Sequence, residues 1–154
     1  MIYNKGLKKA DESQVDFHID KNREFYIFEV TPMGAVRMTK RDRIFTNPNH
    51  ADPKKRQREV VTRYFKFQND IWDEYTKKIF EFPENLEVVF CIAMPTSWSE
   101  KKKQRMNRKP CKTRPDIDNL VKALMDALKI EDGNVWKITA EKRYSYKGSI
   151  IIFT

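Results

Sequence analysis

An apolar run between two helical patterns is the strongest constraint on the fold of this chain. The run LEVVFCIAM, residues 86–94, is rich in β-branched and aromatic side chains and ends at Pro95, so it predicts a buried strand. Apolar residues recur every three or four positions over residues 54–79 and again over residues 117–129. That periodicity predicts two amphipathic helices. A buried strand between such helices favours an α/β or α+β domain.

Further strands are expected on both sides of this central pattern. Residues 25–31 predict a strand, and residues 35–46 are expected to extend it or pair with it. Two closing strands are predicted over residues 135–145 and 148–153. The dipeptide Lys147-Gly148 is expected to form the hairpin turn between them.

The whole chain, residues 1–154, is expected to form one domain, because domains hold ~100–200 residues and no repeat or linker divides this sequence. Residues 1–24 are polar and mixed in charge, and are expected to form a loose N-terminal arm. A short helix is expected over residues 97–106. The predicted fold class is α/β (α+β), a small single domain with a mixed β-sheet and packed helices.

The positive charge is concentrated in one segment. Thirty-one Lys and Arg against 22 Asp and Glu give a formal net charge of +9, which favours a polyanionic partner, either nucleic acid or an anionic membrane. Residues 100–114 hold eight cations and one anion, Glu100, whereas residues 115–154 are neutral overall. The cations predicted to bind DNA phosphates are Lys101, Lys102, Lys103, Arg105, Arg108, Lys109, Lys112 and Arg114.

Basic runs are also common on solvated surfaces, so this alternative stands beside phosphate binding. A second cluster suits a DNA-binding face and a solvated helix start equally well. Its members are Lys54, Lys55, Arg56 and Arg58. Trp98, next to the basic segment, is expected in the core rather than stacked on a base.

Several classes of protein are excluded by the sequence. No apolar run approaches the ~20 residues of a membrane span, and Met1 to Glu12 lacks the apolar stretch of a signal peptide. Cys91 and Cys111 have no metal-site spacing, and neither does either histidine. Two separate cysteines favour a reducing, cytoplasmic compartment.

Three aspartates lie around the second predicted helix. Asp116 and Asp118 flank Ile117 at its start, Asp132 follows its end, and Lys122 comes one turn after Asp118. Gathered carboxylates are ligands for a hard cation such as Mg²⁺, which activates water and stabilises charge on a phosphate. The alternative is ordinary structure, with a helix cap, an i,i+4 ion pair and a turn. The adjacent basic segment favours the metal site, because cleavage of a phosphodiester needs both features.

The string RPDIDNLVKALMDAL, residues 114–128, followed by EDGNV, residues 131–135, resembles the RusA family of Holliday junction resolvases. The preceding MPTSWSEKKKQRMNRKP, residues 94–110, resembles the phage branch of that family. The resemblance implies a small, dimeric fold and a Mg²⁺-dependent endodeoxyribonuclease, with Mn²⁺ as an alternative ion. It also implies action on branched DNA in the cytoplasm of a bacterial host. The implied metal-binding and catalytic residues are Asp116, Asp118 and Asp132, with Lys122 as a further catalytic residue.

Three acidic residues near the end of the helix, Glu131, Asp132 and Asp126, also match the family signature. Glu131 and Asp132 are both candidates for the third ligand, and Asp132 is preferred. Asp126 matches a position of the family signature without a catalytic role being expected of it. The implied dimer suits a four-way junction, because such a junction has two-fold symmetry and needs two matched cuts.

Other functions compete with this interpretation. A non-catalytic DNA-binding protein would use the same basic face and would show no metal-dependent cleavage. A restriction-type nuclease would start at Pro115-Asp116, but Glu141-Lys142-Arg143 has the wrong spacing for its second half. An RNA-binding domain would need an aromatic RNP-like sequence, which this chain lacks.

Overall fold

The computed structural model describes residues 24–78 and 81–154, which form a small α+β domain. Two short 3₁₀ turns, Pro53–Lys55 and Asp132–Asn134, accompany the helices and strands. The helices are α1 (Lys40–Ile44), α2 (Glu59–Lys77), α3 (Glu100–Met106) and α4 (Ile117–Leu128). The strands are β1 (Phe25–Phe28), β2 (Asn85–Ala93), β3 (Lys137–Ser145) and β4 (Ser149–Phe153).

The strands form one mixed sheet in the order β1-β4-β2-β3. β2 pairs with β3 in parallel, and β4 pairs antiparallel with both β2 and β1. Parallel strands need a crossover between them, and here α3 and α4 lie in that connection. The crossover brings the start of α4 next to the carboxyl-terminal half of β3, where the site described below lies.

Helices α2 and α4 pack together on one face of the sheet. Tyr64 and Ile71 of α2 and Leu120 and Leu124 of α4 are buried against alternate strand residues such as Val88. Their three- and four-residue spacing gives each helix one apolar stripe. Burial of each such side chain stabilises the fold by roughly 1.5–3 kcal/mol.

The opposite face of the sheet is also apolar. Val89, Cys91, Ile151 and Phe153 form a separate buried cluster there, because successive strand residues point to opposite faces. Burial raises the pKa of the Cys91 thiol. Cys91 is therefore a core residue, as its place in an apolar run suggests.

The expected fold class is confirmed, and so are the main elements. The strand over 86–94, the helix over 117–129 and the short helix over 97–106 lie within a few residues of their predicted bounds. The long helix begins later than predicted, at Glu59. Asp52 caps a separate 3₁₀ turn just before it through a hydrogen bond to the Lys54 N–H.

Two expectations about strand pairing are wrong. Residues 35–46 form a loop and α1 rather than a strand, because Thr39 and Asp42 make a reciprocal capping box that starts a helix. Lys147-Gly148 lies in the connection from β3 to β4, but these strands do not form a hairpin because β2 separates them. The predicted loose arm, apart from Glu24, lies outside the described residues.

No helix in the described part of the chain is both long enough and apolar enough to cross a membrane.

Candidate active site

An open groove of about 500 Å³ lies where the start of α4 meets β3. Asp116 and Asp118 line one side of it. The other residues around it come from β3 and from the end of the basic segment. They are Pro110, Cys111, Ile117, Ala140, Glu141, Lys142 and Arg143. The groove therefore joins the predicted carboxylates to the predicted DNA-binding segment.

The carboxylates of Asp116 and Asp118 are exposed at the first turn of α4. Asp116 occupies the N-cap position, yet among the described neighbours its side chain accepts no capping hydrogen bond. The helix-cap alternative therefore does not account for Asp116. The positive end of the α4 dipole favours negative charge at this place, so the fold presents two carboxylates to solvent at low cost.

Lys142 of β3 holds the loop that leads into Asp116. Its Nζ donates hydrogen bonds to the carbonyl oxygens of Thr113, at 2.6 Å, and Pro115, at 2.7 Å. The Cys111 N–H donates to the Lys142 carbonyl oxygen at 2.9 Å. These bonds fix the backbone immediately before Asp116 to the edge strand.

A second loop packs against the other side of the α4 start. The Ala35 N–H donates to the Asn119 carbonyl at 3.1 Å, and Asn119 Nδ2 donates to the Ala35 carbonyl at 3.3 Å. Gly34 permits this approach, because a Cβ there would lie 2.5 Å from Asn119 Nδ2 and 3.2 Å from Pro115 Cβ. The sequence did not predict this contact, because a close approach between two backbones has no local sequence pattern.

Lys122 and Asp126 lie further along α4 on exposed positions. Lys122 is one turn after Asp118, as predicted. Asp126 accepts a hydrogen bond from the Tyr64 hydroxyl at 3.2 Å and so joins α4 to α2. Burial, reinforced by the nearby Asp126 charge, raises the pKa of Tyr64 to about 12. Asp126 thus has a structural contact that explains it without a catalytic role.

Asp132 does not join the other two aspartates within one chain. It begins the 3₁₀ turn after α4, and a twelve-residue helix is about 18 Å long. Among the residues that the structure describes, no three His, Cys, Asp or Glu side chains form a group that would hold a metal ion. The expected gathering of Asp116, Asp118 and Asp132 is therefore absent from a single copy.

Glu141 is an acidic residue of the groove that sequence reasoning dismissed. It was considered only as part of a restriction-type sequence, whereas the parallel register of β3 with β2 places it beside Asp116 and Asp118. Its carboxylate pairs with Arg143, with Nε to Oε2 at 2.6 Å. The pairing leaves Glu141 partly neutralised at the rim of the groove.

The basic segment runs along α3 and then beside β3. Backbone hydrogen bonds link Arg108 and Lys109 to Tyr144, so the end of the segment is fixed to the sheet edge. Lys102 Nζ lies 4.0 Å from the ring centroid of Trp98, and Trp98 packs on Tyr144 at 5.3 Å between centroids. Trp98 is half-buried, consistent with the expected core role. The exposed cations of the predicted set are Lys101, Arg105, Lys109, Lys112 and Arg114, and the half-buried ones are Lys102, Lys103 and Arg108.

Exposed carboxylates at a helix start, next to a fixed cationic segment, are the groups expected of a protein that binds and hydrolyses phosphodiesters. The model of the family described as endodeoxyribonuclease RusA matches residues 29–153 of this chain. The chain therefore belongs to the RusA family, whose members are endodeoxyribonucleases that resolve Holliday junctions. A search of curated proteins found no match. The predicted family and enzyme class are confirmed.

Proposed function

We propose that this chain is a Mg²⁺-dependent, structure-selective endonuclease that nicks four-way DNA junctions by hydrolysis. The observation that carries the proposal is the groove, in which Asp116 and Asp118 stand exposed beside the basic segment. Family membership supports the substrate class. A non-catalytic DNA-binding protein would have no need for two exposed carboxylates aimed into such a groove.

The donor set of the groove fits Mg²⁺ or Mn²⁺. Mg²⁺ prefers oxygen ligands and is commonly bound by one or two carboxylates together with water and substrate phosphate. Asp116 and Asp118 provide such a pair, and the groove is open enough to admit a phosphate. Bound metal would supply an activated water and charge stabilisation at the phosphorus.

Asp132 completes the site from a second copy in this proposal. β3 is an edge strand within the described sheet. Residues 108–111 pair with the carboxyl-terminal half of its outer edge, whereas near the amino-terminal half Trp136 is 72% exposed and Ile138 45% exposed. Exposed apolar side chains on an open strand edge favour association. Antiparallel pairing of the amino-terminal halves of two β3 strands about a two-fold axis would turn the Asp132 end of one copy toward the groove of the other.

The roles of the protein groups follow from their positions. Asp116 and Asp118 would bind the metal ion through their carboxylates at the helix start, and Lys142 keeps the preceding loop in place. Lys122, exposed one turn further on, meets the developing negative charge of the phosphate as a point charge. The basic segment holds the neighbouring phosphates, so that the scissile bond stays in the groove.

Substitution of Asp118 by Asn tests the proposal. Loss of a metal ligand removes several kcal/mol of transition-state stabilisation, so cleavage of a mobile four-way junction in Mg²⁺ should fall by about 10³-fold or more. Junction binding in EDTA should stay within about twofold. Asp73→Asn, which removes the same charge from an exposed position of α2, is the control.

The cleavage products of the four-way junction test whether the chain resolves junctions and whether cleavage needs a metal ion. Paired symmetric nicks by the native chain, abolished by EDTA, support resolution. Random nicks, EDTA-resistant cleavage, or full activity of Asp118→Asn would each contradict the proposal.

A further inference from the structure

A second strongly basic surface lies in a part of the chain outside the RusA-like signature. Residues 37–58 contain eight cations and two anions, nearly the same excess as residues 100–114. Seven of these cations are exposed. They are Arg37, Lys40, Arg41, Arg43, Lys54, Lys55 and Arg56. We name this set the α1 surface.

The acidic residue in the middle of the α1 surface is turned inward. Asp42 is 2% exposed, and the guanidinium of Arg58 binds its two oxygens at 2.7 and 2.6 Å. The Thr39 N–H and hydroxyl also donate to Asp42 Oδ2. Arg58, followed by these bonds, lowers the pKa of Asp42 far below its usual range. The charge of Asp42 is therefore neutralised inside the protein by Arg58. Apart from half-buried Asp52, the charged side chains of this surface are positive.

Hydrogen bonds hold the two halves of the α1 surface together. Arg41 Nη2 donates to the carbonyl oxygen of Lys54 at 3.0 Å, and Arg56 Nε donates to that of His50 at 2.7 Å. Arg58 Nη2 also donates to the carbonyl of Arg37 at 3.3 Å. The cations therefore form one ordered patch rather than two independent tails.

The α1 surface is joined to the start of α4 by the loop at Ala35, which is not among the residues that line the groove. Ala35 is bonded to Asn119, next to Asp118, and Arg37 follows only two residues later, a reach of about 7 Å. The basic segment lines the groove through Pro110 and Cys111. The start of α4, which carries the carboxylates of the groove, is thus connected to both basic surfaces.

We propose that the α1 surface binds the phosphate backbone of a second duplex arm while the basic segment holds the arm that is cut. The inference rests on the proposed junction substrate. A single duplex presents one continuous backbone to a groove, whereas at a junction two arms meet and bring phosphates to both surfaces. Cations on both surfaces then favour a junction over linear duplex DNA, because only the junction releases counterions at both.

The test neutralises three cations of the α1 surface that make none of the hydrogen bonds above, in the triple variant K40Q/R43Q/K55Q. The control R63Q/K66Q/K77Q removes one Arg and two Lys from exposed positions of α2 and so has the same net charge. Binding of a four-way junction and of a linear duplex is measured in EDTA over a range of salt concentrations. Thermal melts verify that both variants are folded.

The α1 variant is expected to bind the junction about 10–100-fold more weakly than the control at low salt. Its salt slope should fall by up to about 3, at ~0.9 per lost phosphate contact. Duplex binding should change less than threefold. Cleavage at saturating protein should proceed at the control rate, because the groove is intact.

Junction affinity and salt slope equal to those of the control would overturn the inference, as would equal losses on duplex and junction. If the native chain binds the junction selectively but never cuts it, the proposed catalytic function is wrong. The binding comparison in EDTA still tests the α1 surface, because it does not depend on cleavage.

Discussion

The two ends of helix α4 differ in the contacts that neighbouring loops make with them. At the start, Lys142 fixes the preceding loop and Asn119 binds the loop at Ala35. At the end, Lys129 terminates the helix in a left-handed conformation, and Asp132 follows in an exposed 3₁₀ turn. One end carries two positioned carboxylates, and the other carries a third that is too far away to join them.

In the proposed dimeric site, each copy would contribute only part of the metal ligands. In that proposal, the start of α4 positions the scissile phosphate. Near the other end, Trp136 is 72% exposed, and an exposed apolar side chain favours contact with a neighbouring copy.

Mixing two inactive variants gives the largest expected effect. Asp118→Asn and Asp132→Asn should each be inactive alone. If each site combines Asp118 of one copy with Asp132 of the other, a heterodimer retains one intact site, so an equal mixture should regain about a quarter of native sites. Junction nicking after co-refolding of the two variants measures this.

The same mixture contradicts this sharing of ligands if it stays inactive although heterodimers form. Every site would then combine residues of one copy, and each would still contain one substitution. Differential tags on the two variants report heterodimer formation independently of cleavage.

Lys142→Met should lower the cleavage rate by about 10–100-fold, the usual cost of losing a group that orients metal ligands. Because Lys142 acts through the loop before Asp116, raising the Mg²⁺ concentration should restore part of the rate, and Lys142→Arg should restore more. The matched control is Lys137→Met, on an exposed position of the same strand. Equal rates and equal Mg²⁺ dependence for the two Met variants would show that the loop needs no anchor.

Two glycine substitutions compare the ends of α4 directly. A Cβ at Gly34 meets Asn119 and Pro115, whereas a Cβ at Gly133 meets nothing within 4 Å. Gly34→Ala should therefore lower the free energy of unfolding by about 1–3 kcal/mol, and Gly133→Ala should change it by less than ~0.5 kcal/mol. Urea unfolding of both variants measures the difference, and similar losses would mean that neither end is more tightly packed.

Asp126→Asn should have the smallest effect. It weakens the hydrogen bond from Tyr64 and should cost about 1 kcal/mol of stability, with cleavage unchanged. Since the pKa of Tyr64 is raised to about 12, the stabilisation is complete below the unfolded value near 10 and is lost as the pH rises through 12. Absorbance titration should show the variant's Tyr64 ionising at lower pH, and an unchanged titration would exclude the Asp126 contribution.

The sequence predicted those elements whose side-chain pattern is local and strong. The apolar run of β2 and the stripe of α4 carry their own signal, and both lie close to the predicted bounds. Residues 35–46 were wrongly predicted as a strand. A capping box of Thr39 and Asp42, held by Arg58, stabilises a helix there and outweighs the strand propensity of these residues. The pairing of β4 depends on partners far away in sequence, so no local pattern reveals it.

For the candidate site, the signature indicated Asp116 and Asp118, which both line the groove, while the role of Lys122 stays a prediction. The signature could not supply distance, so Asp132 was expected beside residues from which a whole helix separates it. Lys142 was missed because its role lies in two bonds to backbone carbonyls, which have no sequence pattern. The α1 surface was missed in part because counting Asp42 as an outward charge hides a buried ion pair.

β4 lies inside the sheet but follows the other described strands in sequence. The sheet that carries the groove can therefore form only after β4 has been synthesised. Phe153 pairs with Phe25 on one side and with Glu87 on the other, so contacts that span almost the whole described chain must close last, which slows folding. A nascent chain that has not released residues 149–153 from the ribosome has β1 separated from β2 and β3. Stalled chains of that length should be digested readily by protease, and the groove should gain protection only once the final strand is inserted.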